Sequence, residues 1–211
     1  MEKGLRMASN ITLDTRKILK EINASAGKIV AKNIPKIQRI LDERIEKIVF
    51  QRLVSGLPSI QGRDLAEIGV PDINTRLTSI VQTVAQNVRV KVTFSNSIQI
   101  RINILEQDYS DVLSLPEAVY AYTSANGSGV LEWLKWILLG GSGPIISGFE
   151  FSPLASPFSR TSGGLMVAGG SWGVPSDLAG TADNNILTRS LQNIEQDIKI
   201  IVNQELKRIL K

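Results

Sequence analysis

The sequence predicts an α+β fold in which an antiparallel sheet is bracketed by long N- and C-terminal helices. Three observations predict it. Apolar and polar residues alternate with period two over residues 88–105, helix-period apolar stripes precede that stretch, and another such stripe closes the chain. At 211 residues the chain is read as a single domain, 1–211, with residues 1–11 as a mobile start.

The first helical pattern covers residues 12–32, weakened by Gly27. Asn33 is placed to cap a stronger helix with Pro35 in its first turn, where a missing N–H costs little. Its apolar face reads Ile34, Ile37, Leu41, Ile45, Ile48 and Leu53, with Ile40 and Val49 at the edges, and Gly56 and Pro58 end it. A short helix from Arg63 and a longer one from Asp72 follow, the second carrying Ile73, Leu77, Ile80, Val81 and Val84 on one side.

"VRVKVTFSNSIQIRINIL" then reads as a hairpin. Val88, Val90, Val92 and Phe94 share a face with Ile98, Ile100, Ile102 and Ile104. Arg89, Lys91, Thr93, Gln99, Arg101 and Asn103 share the other. After a compact turn at "DYSDVLSLP", "EAVYAYTSA" is a third strand ending in the loop "NGSG". "VLEWLKWILL" is a short helix, "PIISGFEFSPL" a fourth strand, "GGLMVAGG" a short fifth and "SWGVPSDLAGTADN" a loop. The chain is helical from Asn185, with Leu187, Leu191, Ile194, Ile198, Ile201 and Ile209 as its apolar line.

Composition narrows the chemistry. A net charge of +4 permits contact with nucleic acid without arguing for it. The absence of cysteine removes disulfides and thiolate chemistry, and the absence of histidine removes the usual general base and commonest transition-metal ligand. The start "MEKGLRMASN" has no apolar run of signal-peptide length. The most membrane-like window, "VLEWLKWILLGGSGPIISGF", is interrupted by Glu132, Lys135 and Pro144, whereas a spanning helix needs roughly 20 nearly unbroken apolar residues.

The motifs mostly resolve into structural readings. "ASAGKIV" fails as a phosphate loop, having Ile22 where glycine is needed and Ile29 where the hydroxyl is needed. Glu106, Asp108 and Asp111 read as turn formers before they read as a carboxylate cluster. Serines are plentiful, but no histidine activates one and no G-x-S-x-G elbow is present. A Ser-Lys dyad ranks last. Trp133, Trp136, Tyr120 and Tyr122 sit among Leu and Ile, which favours packing over base stacking. Lys28, Lys32, Lys36, Arg39, Arg44, Lys47 and Arg52 form a basic helix, interrupted by Asp42, Glu43 and Glu46. No enzymatic activity, metal or cofactor is expected.

The segments "LEWLKWILLGG", "FEFSP", "SRTSGGLMVAGGSWGVPSDLAGTADNN" and "ILTRSLQNIEQDIKIIV" together resemble virion structural proteins of tailed bacteriophages. The layout is similar to that of tail-completion or neck proteins: an amphipathic N-terminal helix, an antiparallel sheet, a loop of Ser-Arg-Thr-Gly type and a long terminal helix. Here that loop is Ser159-Arg160-Thr161-Ser162-Gly163-Gly164-Leu165-Met166, with Ser162 where the pattern carries glycine.

The resemblance implies a structural protein that forms a homo-oligomeric ring in the virion, joining head to tail or completing the tail and assembled in the host cytoplasm. Its partners would be itself and neighbouring neck, connector or tail proteins, with loose contact to passing DNA and none to membrane. The loop "SPFSRTSGGLMVAGGSW" is expected at a subunit or partner interface, its glycines permitting close approach and Phe158 and Trp172 offering anchors beside Arg160, so that replacing Arg160 and Trp172 by alanine should spare the fold and impair assembly. Arg89, Lys91 and Arg101 are expected on the polar sheet face, which either faces plain solvent, as one side of an antiparallel sheet often does, or borders the channel with neighbouring copies extending the sheet edge to edge. The alternative from another class is a nucleic-acid-binding protein that uses the basic N-terminal helix. Salt dependence separates the two.

Overall fold

The period-two stretch forms its hairpin, β2 (Arg89–Phe94) with β3 (Ile98–Asn103), and the register pairs Val90 with Ile102 and Val92 with Ile100. A computed structural model describes residues 10–14, 24–56, 66–94, 98–106, 108–124, 127–154 and 156–209, with side chains from Ala31 onward. The buried face carries Val88, Val90, Val92, Ile98, Ile100 and Ile102, none more than 5% exposed. A third strand, β1 (Asn10–Asp14), pairs antiparallel with β3, so the sheet order is β1-β3-β2. This corrects the reading of residues 12–14 as helix and of 10 and 11 as a mobile start; residues 24–32 are helical as expected, and 15–23 lie outside the described residues. The remainder of that start, residues 1–9, lies outside the described residues.

Helix α1 (Ala24–Gly56) is continuous through Pro35, instead of starting at Asn33. Proline removes one helical hydrogen bond, to the carbonyl of residue 31. Ala31 and Pro35 are both exposed, so water can take up that carbonyl. The buried stripe is Ile37, Leu41, Ile45, Val49 and Leu53; Val49 is in the core, while Ile34, Ile40 and Ile48 are half-buried. These steps of four are those of a helix lying along a core.

Two polar side chains of α1 seal the outer edge of β2. Asp42 Oδ1 accepts from Val90 N at 2.9 Å, and Gln38 Oε1 accepts from Val92 N at 3.4 Å. The spacing matches: four helical residues advance about 6 Å and two strand residues about 6.6 Å. The outward N–H groups of Val90 and Val92 are satisfied, which blunts this edge toward a neighbour's strand. Helix α1 therefore occupies the side of β2 where edge-to-edge extension of the sheet would have to pair. The outer side of β1 has no paired strand among the described residues.

Helix α2 (Ile73–Gln86) buries Ile73, Leu77, Ile80, Val81 and Val84, as its spacing predicts. Asp72 precedes it in the left-handed region (φ 55), which a short polar residue tolerates, and Asp72 O accepts from Arg76 N at 3.1 Å. The short helix expected from Arg63 is described only from Ala66, where Ala66 and Glu67 are helical before a turn.

After α3 (Ser110–Leu113) and a 3₁₀ turn (Pro116–Ala118), two small hairpins replace the single extended sheet. β4 (Tyr120–Ser124) pairs with β5 (Gly127–Leu131), so most of the expected "NGSG" loop is strand. β6 (Pro144–Ser152) pairs with β7 (Leu165–Gly173), which extends through "SWG". Between them α4 (Trp133–Leu139) buries Trp133, Leu134, Ile137 and Leu138, and Trp133 Nε1 donates to Glu117 O at 2.8 Å. Trp133 is thus a core residue.

The C-terminal helical stretch is split into α5 (Ile186–Ser190) and α6 (Ile194–Ile209), with Asn193 left-handed at φ 63. The α6 stripe runs Ile194, Ile198, Val202 and Leu206, all buried, while Ile201 and Ile209 are half-buried. Both long helices meet: α1 packs on α6, on α5, on α2 and on β2. One hydrophobic cluster runs from Ile37 to Leu206. At the α1–α6 contact Arg52 forks onto Asp197, and buried Glu205 holds Arg44 at 3.4 Å and Arg208 at 2.8 Å.

Asn185 organises the turn into α5. It is fully buried, its Oδ1 accepts from Leu187 N (3.0 Å) and Thr188 N (3.1 Å), and Thr188 Oγ1 returns a bond from Asn185 N (2.8 Å). Its Nδ2 donates to Tyr109 Oη (2.8 Å) and Thr181 O (3.0 Å), and Tyr109 Oη donates onward to Ala182 O (2.6 Å). Losing a cap costs about 1 kcal/mol, and orphaned buried polar groups add about 1–3 kcal/mol. Asn185→Ala should therefore lower stability by about 2–4 kcal/mol in urea titration. A change below about 0.5 kcal/mol would mean that water replaces this network at no cost.

Candidate functional site

Among the described residues, the β6–β7 ribbon and its connecting loop carry five of the ten exposed large apolar side chains: Phe149, Leu154, Phe158, Met166 and Val167. Its paired residues include Phe149 with Ala168, Phe151 with Met166 and Glu150 with Val167. Phe151 packs on the core, but Phe149 is 48% exposed, and Met166 and Val167 also face solvent. The register is broken between Pro144 and Ile146 and again between Ser147 and Phe149. Gly148, Gly169 and Gly170 have φ of 82, 138 and 47, conformations that only glycine adopts without strain. These breaks bend and twist a two-stranded ribbon locally. β6 and β7 make their extensive contacts with each other, so their central residues are bare on both faces.

Both ends of the ribbon are tied to one short segment, Ala66 to Gly69. At its base Trp172 Nε1 donates to Glu67 Oε1 at 3.1 Å. At its far end Thr161 Oγ1 donates to Ala66 O at 3.0 Å, and Gly163 lies against the Ala66 methyl. Ser156 Oγ accepts from Phe158 N (3.2 Å) and Ser159 Oγ from Thr161 N (3.3 Å), turns that short hydroxyl residues favour. Arg160 lies 4.6 Å above the Tyr122 ring. Arg76 lies 5.4 Å over Tyr120 and donates to Val119 O, which fixes that hairpin to the first turn of α2.

Phe158 is 86% exposed and Leu154 75%, on the loop that Arg160, Thr161 and Gly163 tie to the body. The three interface residues expected from sequence divide. Phe158 and Arg160 are exposed. Trp172 is not: it is 4% exposed, packs edge-on against Trp136 with ring centroids 5.9 Å apart, and anchors the ribbon. A surface anchor is corrected to a core residue. Leu154, Phe149, Met166 and Val167 were missed as surface residues. The signal for Leu154 was available, a leucine between Pro153 and Pro157 with no periodic partner.

On the three-stranded sheet Arg89, Lys91 and Arg101 all lie on the exposed face, with Lys91 directly opposite Arg101. Arg89 turns back to donate to Gln86 O (2.7 Å) and Val88 O (2.9 Å) at the end of α2. The basic helix is partly neutralised, since Asp197 engages Arg52 and Glu205 engages Arg44.

The carboxylates at 106–111 form a turn. Asp108 Oδ1 accepts from Ser110 N at 3.1 Å, and the Ser110 side chain and backbone hold the Asp108 carboxyl below its usual range. Burial pushes Asp111 up despite its bonds from Glu106 N and Val112 N. Among the described residues no three acidic side chains gather closely enough to hold a metal ion. "ASAGKIV" is part of helix α1, so its backbone amides are spent within the helix.

A groove of about 530 Å³ lies between α1 and α2, lined by Glu43, Glu46, Lys47 and Phe50 from one helix and Gln82, Ala85 and Gln86 from the other. Phe50 is 36% exposed. Among the described residues no helix is long and apolar enough to cross a membrane. Comparison of the chain with protein-family models, with curated proteins and with solved structures finds no match.

Proposed function

We propose that the chain is a non-enzymatic structural protein that assembles with itself into a ring at a phage neck or tail end, as a head–tail joining or tail-completion component of the virion. The supporting observation is the loop carrying Phe158 and Leu154, which is tied to the body through Arg160, Thr161 and Gly163 and leaves its two largest apolar side chains in water. Burying one such side chain is worth about 1.5–3 kcal/mol, and contiguous exposed apolar surface on a folded chain marks an interaction site. Ring geometry, the neck or tail location and neighbouring virion proteins as partners rest on the resemblance to tailed-phage structural proteins.

In this reading the sheet face with Lys91 and Arg101 borders the channel and meets DNA through charge alone. The alternative, nucleic-acid binding by the basic helix, draws less support because Arg44 and Arg52 are occupied by carboxylates of α6. Light scattering over a concentration series tests the proposal. The purified chain is expected to form one closed oligomer that persists as salt rises, and Phe158→Asp with Leu154→Ser is expected to leave a folded monomer. A monomer whose DNA affinity falls steeply with salt would replace this reading with the alternative.

A further inference from the structure

A ring built from identical chains needs two different surfaces on each chain, one fitting the other on the next copy. The chain offers a protrusion in Phe158 and Leu154. Sheet continuation through β2 is opposed by Asp42 and Gln38, which take up the outward N–H groups of Val90 and Val92, so a complementary surface is sought elsewhere. The concave candidate is the α1–α2 groove, whose floor includes Phe50 and Ala85.

We infer that Phe158 and Leu154 of one copy seat in the α1–α2 groove of the next. This rests on the assembly proposed above and names its contact. Three observations carry it. The groove's volume of about 530 Å³ can receive large apolar side chains, and Phe50 is an apolar group already partly in water there.

Charge is complementary. The groove's rim carries Glu43 and Glu46 against the single cation Lys47, while the chain from Phe151 to Ser176 carries Arg160 and no carboxylate.

The two surfaces sit at opposite ends of α2. Through Tyr120, Tyr122 and the contacts of Arg160, the loop is fixed near Arg76 and Gly69, at the helix start. The groove is lined by Gln82, Ala85 and Gln86 at its end. Nine residues from Arg76 to Ala85 rise about 14 Å. With Thr161 and Gly163 holding the loop to Ala66, a copy cannot fill its own groove, and the contact passes head to tail.

The chain has no cysteine, so introduced pairs report this contact without background. Leu154→Cys and Gln82→Cys are made separately and together. Under mild oxidation each single variant is expected to stay uncross-linked, their mixture to give a covalent dimer, and the double variant a ladder up to the full ring. Adding Phe158→Asp should weaken association about tenfold or more and remove the ladder, with an unchanged melting temperature. Assembly in light scattering without any mixed dimer would overturn this contact while leaving the assembly proposal standing. A covalent dimer from Leu154→Cys alone would show a two-fold contact and overturn it too. A chain that stays monomeric at every concentration would overturn both.

Discussion

Replacing Ile198 by aspartate is expected to leave little folded protein at 25 °C. Ile198 has no exposed surface and lies in the stripe Ile194, Ile198, Val202 and Leu206 that packs α6 on α1. Removing its side chain alone is worth about 2–5 kcal/mol, and a carboxylate there lies in the apolar core with no designed partner, which adds several more. That sum is comparable with the whole net stability of about 5–15 kcal/mol for a typical domain. Circular dichroism against temperature and urea checks it, with Ile198→Val, expected at about 1 kcal/mol, as the size control. An aspartate variant that melts with the parent would mean that α6 is not part of the core.

Trp172→Ala is expected to destabilise the fold by about 3–5 kcal/mol, which lowers the melting temperature on the order of 10 °C. The indole fills the space beside Trp136 and ties the ribbon to Glu67, so truncation opens a cavity and frees one end of β6–β7. Arg160→Ala should change the melting temperature little, because the residue is exposed and its contact with Tyr122 is worth about 0.5–1 kcal/mol. Calorimetry on both variants separates the two roles. Equal, negligible shifts would return Trp172 to the surface role expected from sequence.

That reassignment shows where local reading stops. Trp172 stands in "AGGSWGVP", whose glycines read as loop, and its burial is set by Trp136 and Glu67, far away in the chain. The hairpin of β2 and β3 and the apolar stripe of α2 were legible because one face of each is buried, and burial writes a period into the sequence. Strand β5 was not legible: "GSGVL" has no alternation to write, since its residues are half-buried or exposed on both sides. The break before α6 was hidden because Leu191 and Ile194 keep the helical stripe in phase across it, while Asn193 leaves the helix for the left-handed region.

Of the candidate site, Phe158 and Arg160 are exposed, in a loop whose glycines pointed to a contact surface. The α1–α2 groove was invisible to any reading of one segment at a time, because its two walls come from separate helices. The sealing of the β2 edge was hidden for the same reason. Asp42 and Gln38 read as ordinary exposed-face residues until α1 is laid along the strand.

Electron microscopy of the purified chain, at protein concentrations well above the onset of self-association, tests the central claim most directly. The account predicts closed rings of uniform diameter and copy number, with the β6–β7 ribbon and its loop between adjacent copies. A field of single globular particles, or open filaments and irregular aggregates with no closed ring, would contradict it.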